Sequence, residues 1–319
     1  MFERNTTFVV LGSQRDRRAV YQKWLREAPR PAGVIFETIE DANQFAAAIG
    51  CQVYTSKERL VARQGIWRAC LNQESMVIAA TRQGVMLPNL AVLIIDEPDR
   101  FGLRNDRSPR YHTLTVARWR KEHQHVALVV GTPALGVYTT LLLNGGARLV
   151  GRGSVTQIKP IDPRDTNIAP NDLVVLANRS LYGSYPQALE KPVSQVEQLG
   201  GHWQRAWFIG FDELAAVPEY NQQEIIYMKL QRLRHLCDEL LVPTKSPDHS
   251  IFKANFIDHE IRQRKEFGFP PFGRIAKITE PNGRSSIKQF PTAANPARVL
   301  EALNVPKGTR VELDPMHVF

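Results

Sequence analysis

The sequence has little cysteine and no long hydrophobic run. Its 319 residues contain three cysteines, Cys51, Cys70 and Cys237, and their wide spacing fits neither a disulfide framework nor a zinc knuckle. The longest apolar runs, such as residues 91–95, are far shorter than the roughly 20 residues of a membrane-spanning helix. The opening residues also lack the layout of a signal peptide. We therefore expect a cytoplasmic protein without zinc, without another bound metal and without a membrane partner.

Acidic side chains are fewer than basic ones. Lysine and arginine number 41 against 32 aspartates and glutamates, which gives a net charge of +9 and a pI near 9.6. This balance favours a polyanionic partner, with nucleic acid first. Residues 100–125 hold seven basic and two acidic side chains around Phe101, Tyr111 and Trp119. Cations neutralise phosphates and aromatic rings stack on unpaired bases, but a solvated helix face with core aromatics would have the same pattern.

The pattern of apolar residues predicts an α/β protein. Hydrophobic residues are 43% and charged residues 23% of the chain, which excludes global disorder. Nearly all-apolar strands alternate with helical segments, as in parallel sheets that are covered on both faces. We predict domains over residues 1–150, 151–245 and 246–319. Within them we predict a glycine- and proline-rich linker over 151–170, a loop-like segment over 180–202 and a long helix over 219–241.

The first predicted strand, residues 6–11, leads into Gly12-Ser-Gln-Arg-Asp-Arg-Arg18. Phosphate-binding α/β domains have a glycine loop at this place. Its backbone N–H groups cradle phosphates, while a lysine and a Ser/Thr hydroxyl serve the terminal phosphates and the metal. Gly12 is present here, but the second glycine and the Lys-Ser/Thr pair are missing. Arg17 and Arg18 offer charge without a hydroxyl ligand, so the segment predicts weak nucleotide binding at best.

Two more segments follow predicted strands. Residues 93–99 end a hydrophobic strand in Asp96 and Glu97. Nucleotide hydrolases present one such carboxylate to Mg²⁺ and a second to the attacking water, although an acidic turn would have the same sequence. The segment Gly131-Thr-Pro133 follows another buried strand. It fits either a link between a nucleotide site and a nucleic-acid track or ordinary turn chemistry.

Together and in this order, these segments resemble the primosomal replication-restart helicase family (primosomal protein N′, PriA). That family has an Asp-Glu-Glu-His box, a loop ending in Pro-Arg-Tyr-His and a Gly-Ser-Ala-Thr-Pro segment. The similar segments here are residues 80–82, 88–90, 93–99, 108–112, 129–134, 246–249, 264–274 and 310–315. The resemblance covers residues 8–319. It implies two RecA-like helicase lobes of the P-loop NTPase type and a small C-terminal α+β domain.

The chain departs from this family at every ATP motif. The Gly-Ser-Gly-Lys-Thr loop is replaced around residues 16–18, and the acidic box reads Asp-Glu-Pro-Asp. The segment that supplies the arginine finger falls at residues 229–235 without its glycines, where Arg232 or Arg234 would stand in. The sequence has no counterpart of the family's eight zinc cysteines or its N-terminal DNA-binding domains. The resemblance therefore implies a degenerate catalytic pair and a vestigial nucleotide site, formed by Asp96 and Glu97 and by Gly12, Arg17, Arg18, Arg232 and Arg234.

The resemblance also implies a DNA-binding surface. In the family, the loop that here contains residues 108–112 couples single-stranded DNA to the nucleotide site. Further basic residues flank a rigid aromatic turn at residues 267–272, whose rings we assign to packing because Pro-Pro fixes a turn that needs a hydrophobic floor. The predicted DNA contacts are Arg82, Arg110, Tyr111, His112, Arg264, Lys265 and Arg274.

We therefore expect a DNA-binding protein of replication restart, similar to this helicase family but with lost or very weak ATPase and helicase activity. Losing an arginine finger alone lowers phosphoryl-transfer rates by about 10³ or more. The expected partners are single-stranded or forked DNA and other primosome or replication proteins. No cofactor is required, and ATP with Mg²⁺ would bind weakly. Two alternatives stay open, an active ATP-dependent 3′–5′ DNA helicase with an atypical phosphate loop and a protein-interaction scaffold without DNA binding.

Overall fold

The computed structural model describes residues 6–99, 101–105, 111–199, 201–290, 299, 303, 305–306 and 308–314. The chain forms two compact units. The first comprises Met1–Leu135 and Thr139–Ser154, and the second comprises Gly136–Tyr138 and Val155–Phe319. Within the described ranges, no helix is long and apolar enough to cross a membrane.

The first unit is built on a parallel sheet. Its strands are β1 (Thr7–Leu11), β2 (Ala32–Ile35), β3 (Gln52–Tyr54), β4 (Val77–Ala80), β5 (Val92–Asp96), β6 (Arg104–Asn105), β7 (Tyr111–His112), β8 (Ala127–Thr132) and β9 (Arg148–Gly151). Seven of them form one sheet in the order β3-β4-β2-β5-β8-β1-β9, while β6 and β7 form a separate antiparallel pair. The central strands are buried along their whole length, as expected for a sheet covered on both faces.

The helices of the first unit are α1 (Gln14–Leu25), α2 (Ile39–Ile49), α3 (Leu60–Leu71), α4 (Thr113–Gln124) and α5 (Val137–Asn144), whose residues from Thr139 belong to this unit. Local chemistry sets their ends. The Thr38 hydroxyl accepts a hydrogen bond from the Asp41 N–H at 3.0 Å and so caps α2. Gly50 ends that helix in the left-handed conformation, with φ +69°.

One face of the first sheet forms a hydrophobic core with α1 and α2. Phe8 and Val10 of β1 pack there with Tyr21 and Trp24 of α1 and Phe45 of α2. The ring of Phe8 lies 5.1 Å from that of Trp24 between centroids. Because side chains alternate along a strand, Thr7 and Val9 of β1 face the opposite side of the sheet.

The second unit contains a five-stranded parallel sheet. Its strands are β10 (Ile158–Ile161), β11 (Leu173–Leu176), β12 (Leu189–Pro192), β13 (Trp203–Ile209) and β14 (Cys237–Pro243), in the order β10-β14-β13-β11-β12. The helices are α6 (Phe211–Ala215), α7 (Gln222–Arg234) and α8 (Phe256–Glu266). Phe208, Ile226, Leu230 and Phe256 join the sheet and helices in one core.

A small antiparallel sheet follows in the same unit. It consists of β15 (Arg274–Thr279), β16 (Ser285–Phe290) and β17 (Arg310–Leu313), with β15 in the middle. The predicted α/β class is therefore confirmed: the chain has two units with parallel sheets and a small antiparallel sheet. The assignment of the two parallel sheets to RecA-like helicase lobes stays a prediction. The boundaries predicted at residues 150 and 245 stay predictions.

Three local predictions are wrong. The segment predicted as a linker contains β10, the segment predicted as loop-like contains β12, and the helix predicted over 219–241 ends at Arg234. Polar residues within β10 and β12 hide their strand character. These short segments become strands because they pair with β14 and β11, which is a tertiary effect that local propensity does not contain.

Candidate functional site

The connection between β1 and α1 is too short to surround a phosphate. Strand β1 ends at Leu11 and α1 begins at Gln14, so only Gly12 and Ser13 lie between them. The Ser13 hydroxyl accepts a hydrogen bond from the Asp16 N–H at 3.2 Å and donates to the Asp16 carboxylate at 2.6 Å. A carboxylate therefore stands at the helix N-terminus, where a phosphate-binding domain would hold its anion.

Arg17 fills the centre of the predicted nucleotide site. Its side chain is 1% exposed. The guanidinium donates to both Asp96 oxygens, at 2.8 Å to Oδ1 and 3.2 Å to Oδ2, and to Glu97 Oε1. It also donates to the Gly12 carbonyl at 2.8 Å. Burial by itself would lower the pKa of Arg17, but the two carboxylates outweigh burial and raise that pKa well above its ordinary value. Arg17 is therefore a permanent cation between the two acids.

Tyr21 is the second partner of Asp96. It lies one helical turn after Arg17, and its hydroxyl donates to Asp96 Oδ1 at 2.7 Å. Burial raises the pKa of Tyr21 well above its ordinary value, and the negative charge of Asp96 raises it further. The phenol consequently stays protonated and remains a donor. Both oxygens of Asp96 are thus engaged by donors of α1.

Gly131 makes room for this arrangement. It is paired with Asp96 across β8 and β5. A Cβ on Gly131 would overlap the Tyr21 hydroxyl and lie 2.8 Å from Asp96 Oδ1. Glu97 follows Asp96 with φ +52°, which non-glycine residues rarely adopt, and its N–H donates to the Gly131 carbonyl at 2.8 Å. The Gly-Thr-Pro segment therefore has a steric role at the acidic pair.

A magnesium ion does not fit this set of donors. It would need carboxylate oxygens that Arg17 and Tyr21 already use, and it would have to approach a buried guanidinium of the same sign. Among the residues that the structure describes, no group of three or more His, Cys, Asp or Glu side chains could hold a metal ion. The arrangement neutralises the acids by internal hydrogen bonds instead.

The other predicted nucleotide contacts have partners of their own. Arg18 binds the carboxylate of Asp41 on α2 and lies over the Phe36 ring at 5.4 Å. In the second unit, Arg232 is buried on α7. Arg234 donates to the Thr156 carbonyl and, at 2.5 Å, to Gln231 Oε1, and burial lowers its pKa. The assignment of these arginines to a nucleotide stays a prediction.

The predicted DNA residues of the first unit form part of one surface cluster. Arg82 follows β4 and donates to the Gly102 carbonyl at 3.2 Å, while the Tyr111 hydroxyl donates to the Arg82 carbonyl at 3.4 Å. Burial raises the pKa of Tyr111, and the nearby Arg82 opposes that rise. His112 caps α4 by accepting from the Leu114 N–H at 3.2 Å. Arg110 lies outside the described residues.

Sequence reasoning missed two members of this cluster, Tyr54 and Arg63. Arg63 of α3 lies over the Tyr54 ring at 5.4 Å and donates to Gln83 Oε1 at 3.1 Å, next to Arg82. We name Tyr54, Arg63, Arg82 and Tyr111 the edge cluster. Its residues come from four different elements, so no spacing in the sequence links them. The only local signal in the sequence is an aromatic residue, Tyr54, upstream of the basic Arg63.

The predicted DNA contacts of the second unit separate into two kinds. Arg264 is 2% exposed and pairs with Glu224 at 2.9 Å and with Glu260 at 2.7 Å. Burial would lower its pKa, but these two carboxylates raise it. The prediction that Arg264 contacts DNA is therefore corrected to a role in the core. Lys265 is exposed, and Arg274 is half-buried against Asp314.

Comparisons with known proteins find a relative by sequence and several distantly similar solved structures. No family model matches the chain. The replication restart protein PriA of Bacillus subtilis (strain 168) is 27% identical over 176 residues, which are 50% of this chain and 21% of that protein. The match thus spans about a fifth of the length of the curated relative.

Two of the similar solved structures are helicases. The DUF1998 helicase MrfA bound to DNA is 11% identical with a TM-score of 0.44, over 82% of this chain and 46% of that chain. The arterivirus nonstructural protein 10 (helicase) with DNA is 10% identical with a TM-score of 0.41, over 75% and 61% of the two chains. Structural similarities this distant do not establish a function, so the function has to be argued from the geometry of the site. About half of the chain is thus similar in sequence to a part of a replication restart protein.

Proposed function

We propose that this chain is a DNA-binding, helicase-like protein of DNA replication restart in which ATP turnover has been lost. The observation that carries the loss is the bonding of Arg17 to Asp96 and Glu97. The assignment to replication restart is supported by the similarity of half the chain to a replication restart protein. Single-stranded or forked DNA and other replication proteins are its proposed partners.

The internal ion pair opposes catalysis for an electrostatic reason. Phosphoryl transfer depends on positioning and on stabilising negative charge with a loop lysine, a metal ion and an arginine finger. The charge of Arg17 is neutralised by Asp96 and Glu97. Asp16 also places a carboxylate at the start of α1. Bringing a nucleotide with Mg²⁺ to this site would require breaking buried, charge-assisted hydrogen bonds.

DNA binding is supported by charge and by the edge cluster. The chain carries a net charge of +9. The edge cluster places Arg63 and Arg82 beside the partly exposed Tyr111, while Tyr54 is buried with Arg63 over its ring. Arginines neutralise backbone phosphates, and aromatic rings stack on unpaired bases. Lys265 is an additional exposed cation in the second unit.

The first test measures ATP hydrolysis with and without forked DNA, with DNA binding followed in the same samples. We expect the chain to bind DNA and to hydrolyse ATP no faster than an Asp96→Asn variant. This variant keeps the shape of the side chain and controls for contaminating ATPases. DNA-stimulated hydrolysis that disappears in Asp96→Asn would establish the active-helicase alternative and overturn the proposed loss of turnover.

A second test measures DNA affinity against salt concentration. Arg82→Gln should weaken binding to single-stranded DNA by about tenfold and reduce the slope of log K against log salt by about 0.7, because one phosphate contact is lost. Lys23→Gln is the matched control, since Lys23 is an exposed cation on α1, away from the edge cluster. Fluorescence anisotropy with a labelled oligonucleotide gives both quantities. Equal effects of the two substitutions would remove the edge cluster from the proposal, and undetectable binding at low salt would favour the scaffold alternative.

A further inference from the structure

The first unit has a second basic feature, at the opposite end of β1 from Arg17. A pocket of about 410 Å³ opens where β1, β8 and β9 begin, and α4 and α5 also line it. Thr7, Arg118, Lys121, Glu122 and Arg148 are among its lining residues. We call it the amino-edge pocket. It contains no residue of the edge cluster.

The amino-edge pocket has an excess of positive charge. Arg118 and Lys121 of α4 and Arg148 of β9 contribute three cations, and Glu122 contributes one carboxylate. Within the described part of the chain, no ion pair or hydrogen bond is made by the side chains of these three cations. Three unneutralised cations around one cavity repel each other, and a bound anion would relieve that repulsion.

A buried hydroxyl gives independent support for a ligand. Thr7 is 7% exposed, and its Oγ1 has no hydrogen-bond partner. Most buried hydroxyls are paired, because an unmade hydrogen bond leaves the desolvation of the group uncompensated. Thr7 lines the pocket from the face of β1 that is opposite Phe8 and Val10. A ligand oxygen in the pocket would supply the missing partner.

The loop beside the pocket has its backbone donors occupied. The N–H groups of Gly145, Gly146 and Ala147 donate to the carbonyls of Leu141, Leu143 and Leu142 at the end of α5, each at 3.0 Å. An anion would therefore be bound by side chains, with three cations and one hydroxyl as donors. This set of donors fits a tetrahedral oxyanion with several acceptor oxygens.

We propose that the amino-edge pocket binds a phosphate group. The volume of the pocket, about 410 Å³, is larger than that of a free phosphate. It falls within the range of about 300–1,000 Å³ that is usual for small-ligand pockets. The phosphate belongs either to a DNA backbone or to a small phosphorylated molecule such as a nucleotide. The proposal is independent of the edge cluster and of ATP turnover.

The test uses the full chain and compares Arg148→Gln and Thr7→Val with Lys23→Gln. Lys23→Gln makes the same charge change on α1, which packs on the other face of the sheet. Inorganic phosphate and adenosine monophosphate are titrated by calorimetry against chloride of equal ionic strength. A single-stranded oligonucleotide is titrated by anisotropy. We expect Arg148→Gln to weaken the bound ligand by about tenfold, because it removes a charged hydrogen-bond donor.

Thr7→Val supplies a readout that general loss of structure would not give. Removing a hydroxyl without a partner should leave the melting temperature of the free protein unchanged or higher, while phosphate binding weakens several-fold. If the oligonucleotide alone distinguishes the pocket variants from Lys23→Gln, the phosphate is that of DNA. If inorganic phosphate or the mononucleotide distinguishes them, the ligand is a small molecule. If none of the three probes separates the pocket variants from Lys23→Gln, the proposal is overturned.

Discussion

Arg17→Ala is expected to destabilise the first unit by about 3–5 kcal/mol, because breaking a buried ion pair leaves uncompensated charge in the interior. The variant would leave Asp96 and Glu97, which are 5% and 3% exposed, without their shared cation. Hydrogen exchange of peptides from β1 and β5 measures the effect, since it reports on the first unit separately from the second. Arg15→Ala is the matched control: Arg15 is an exposed residue of the same helix, and its loss should change stability by less than about 0.5 kcal/mol.

Magnesium provides a further readout on Arg17→Ala. Mg²⁺ should stabilise Arg17→Ala more than it stabilises the unsubstituted chain, since an ion could then take the place of the guanidinium between two acids. If Arg17→Ala and Arg15→Ala show equal protection, Arg17 is not the residue that neutralises the pair.

Gly131→Ala is expected to destabilise the first unit by about 3 kcal/mol, at the upper end of overpacking effects. The new methyl group would overlap the Tyr21 hydroxyl and crowd Asp96 Oδ1. Gly65→Ala is the control, because a Cβ there meets nothing within 4 Å. Gly65 lies inside α3, where alanine is more favourable than glycine by about 0.5–1 kcal/mol.

A double substitution tests the stated cause of the Gly131 effect. Tyr21→Phe removes the hydroxyl and should by itself cost about 1.5–3 kcal/mol, as for other hydrogen bonds to charged groups. Adding Gly131→Ala to Tyr21→Phe should then cost less than Gly131→Ala alone, because the hydroxyl is gone and only the contacts with Tyr21 Cζ and Asp96 Oδ1, each at 2.8 Å, remain tight. Additive effects of the two substitutions in urea unfolding would show that the overlap with the hydroxyl is not the source of strain.

These expectations describe a group of side chains that the sequence predicts at a vestigial nucleotide site and that the structure buries in the core. In an active site, strongly bonded charged groups are held ready for a ligand. Here Arg17, Tyr21 and Asp96 satisfy one another, so the acidic strand end that marks many nucleotide hydrolases stabilises the first unit instead. The edge cluster and the amino-edge pocket remain as the basic features of the first unit that are available to a partner.

Much of the fold was predictable because its signals are local. The buried strands are continuous apolar runs, and Thr38 and Gly50 mark the ends of α2 with ordinary capping chemistry. The polar strands β10 and β12 were missed because only their pairing with a neighbouring strand stabilises them. The same limit explains the edge cluster, whose side chains converge from separate elements.

Residue types and local spacing are enough to establish the α/β class, the basic charge, the missing phosphate-loop lysine and the acidic pair after β5. The roles of the remaining charges depend on long-range packing. It places Arg17 on Asp96, whose position in the sequence is 79 residues away, and it buries Arg264 against Glu224 and Glu260 while leaving Lys265 exposed. The physical reason is that a charge acts through its neighbours and its access to water, and long-range packing sets both.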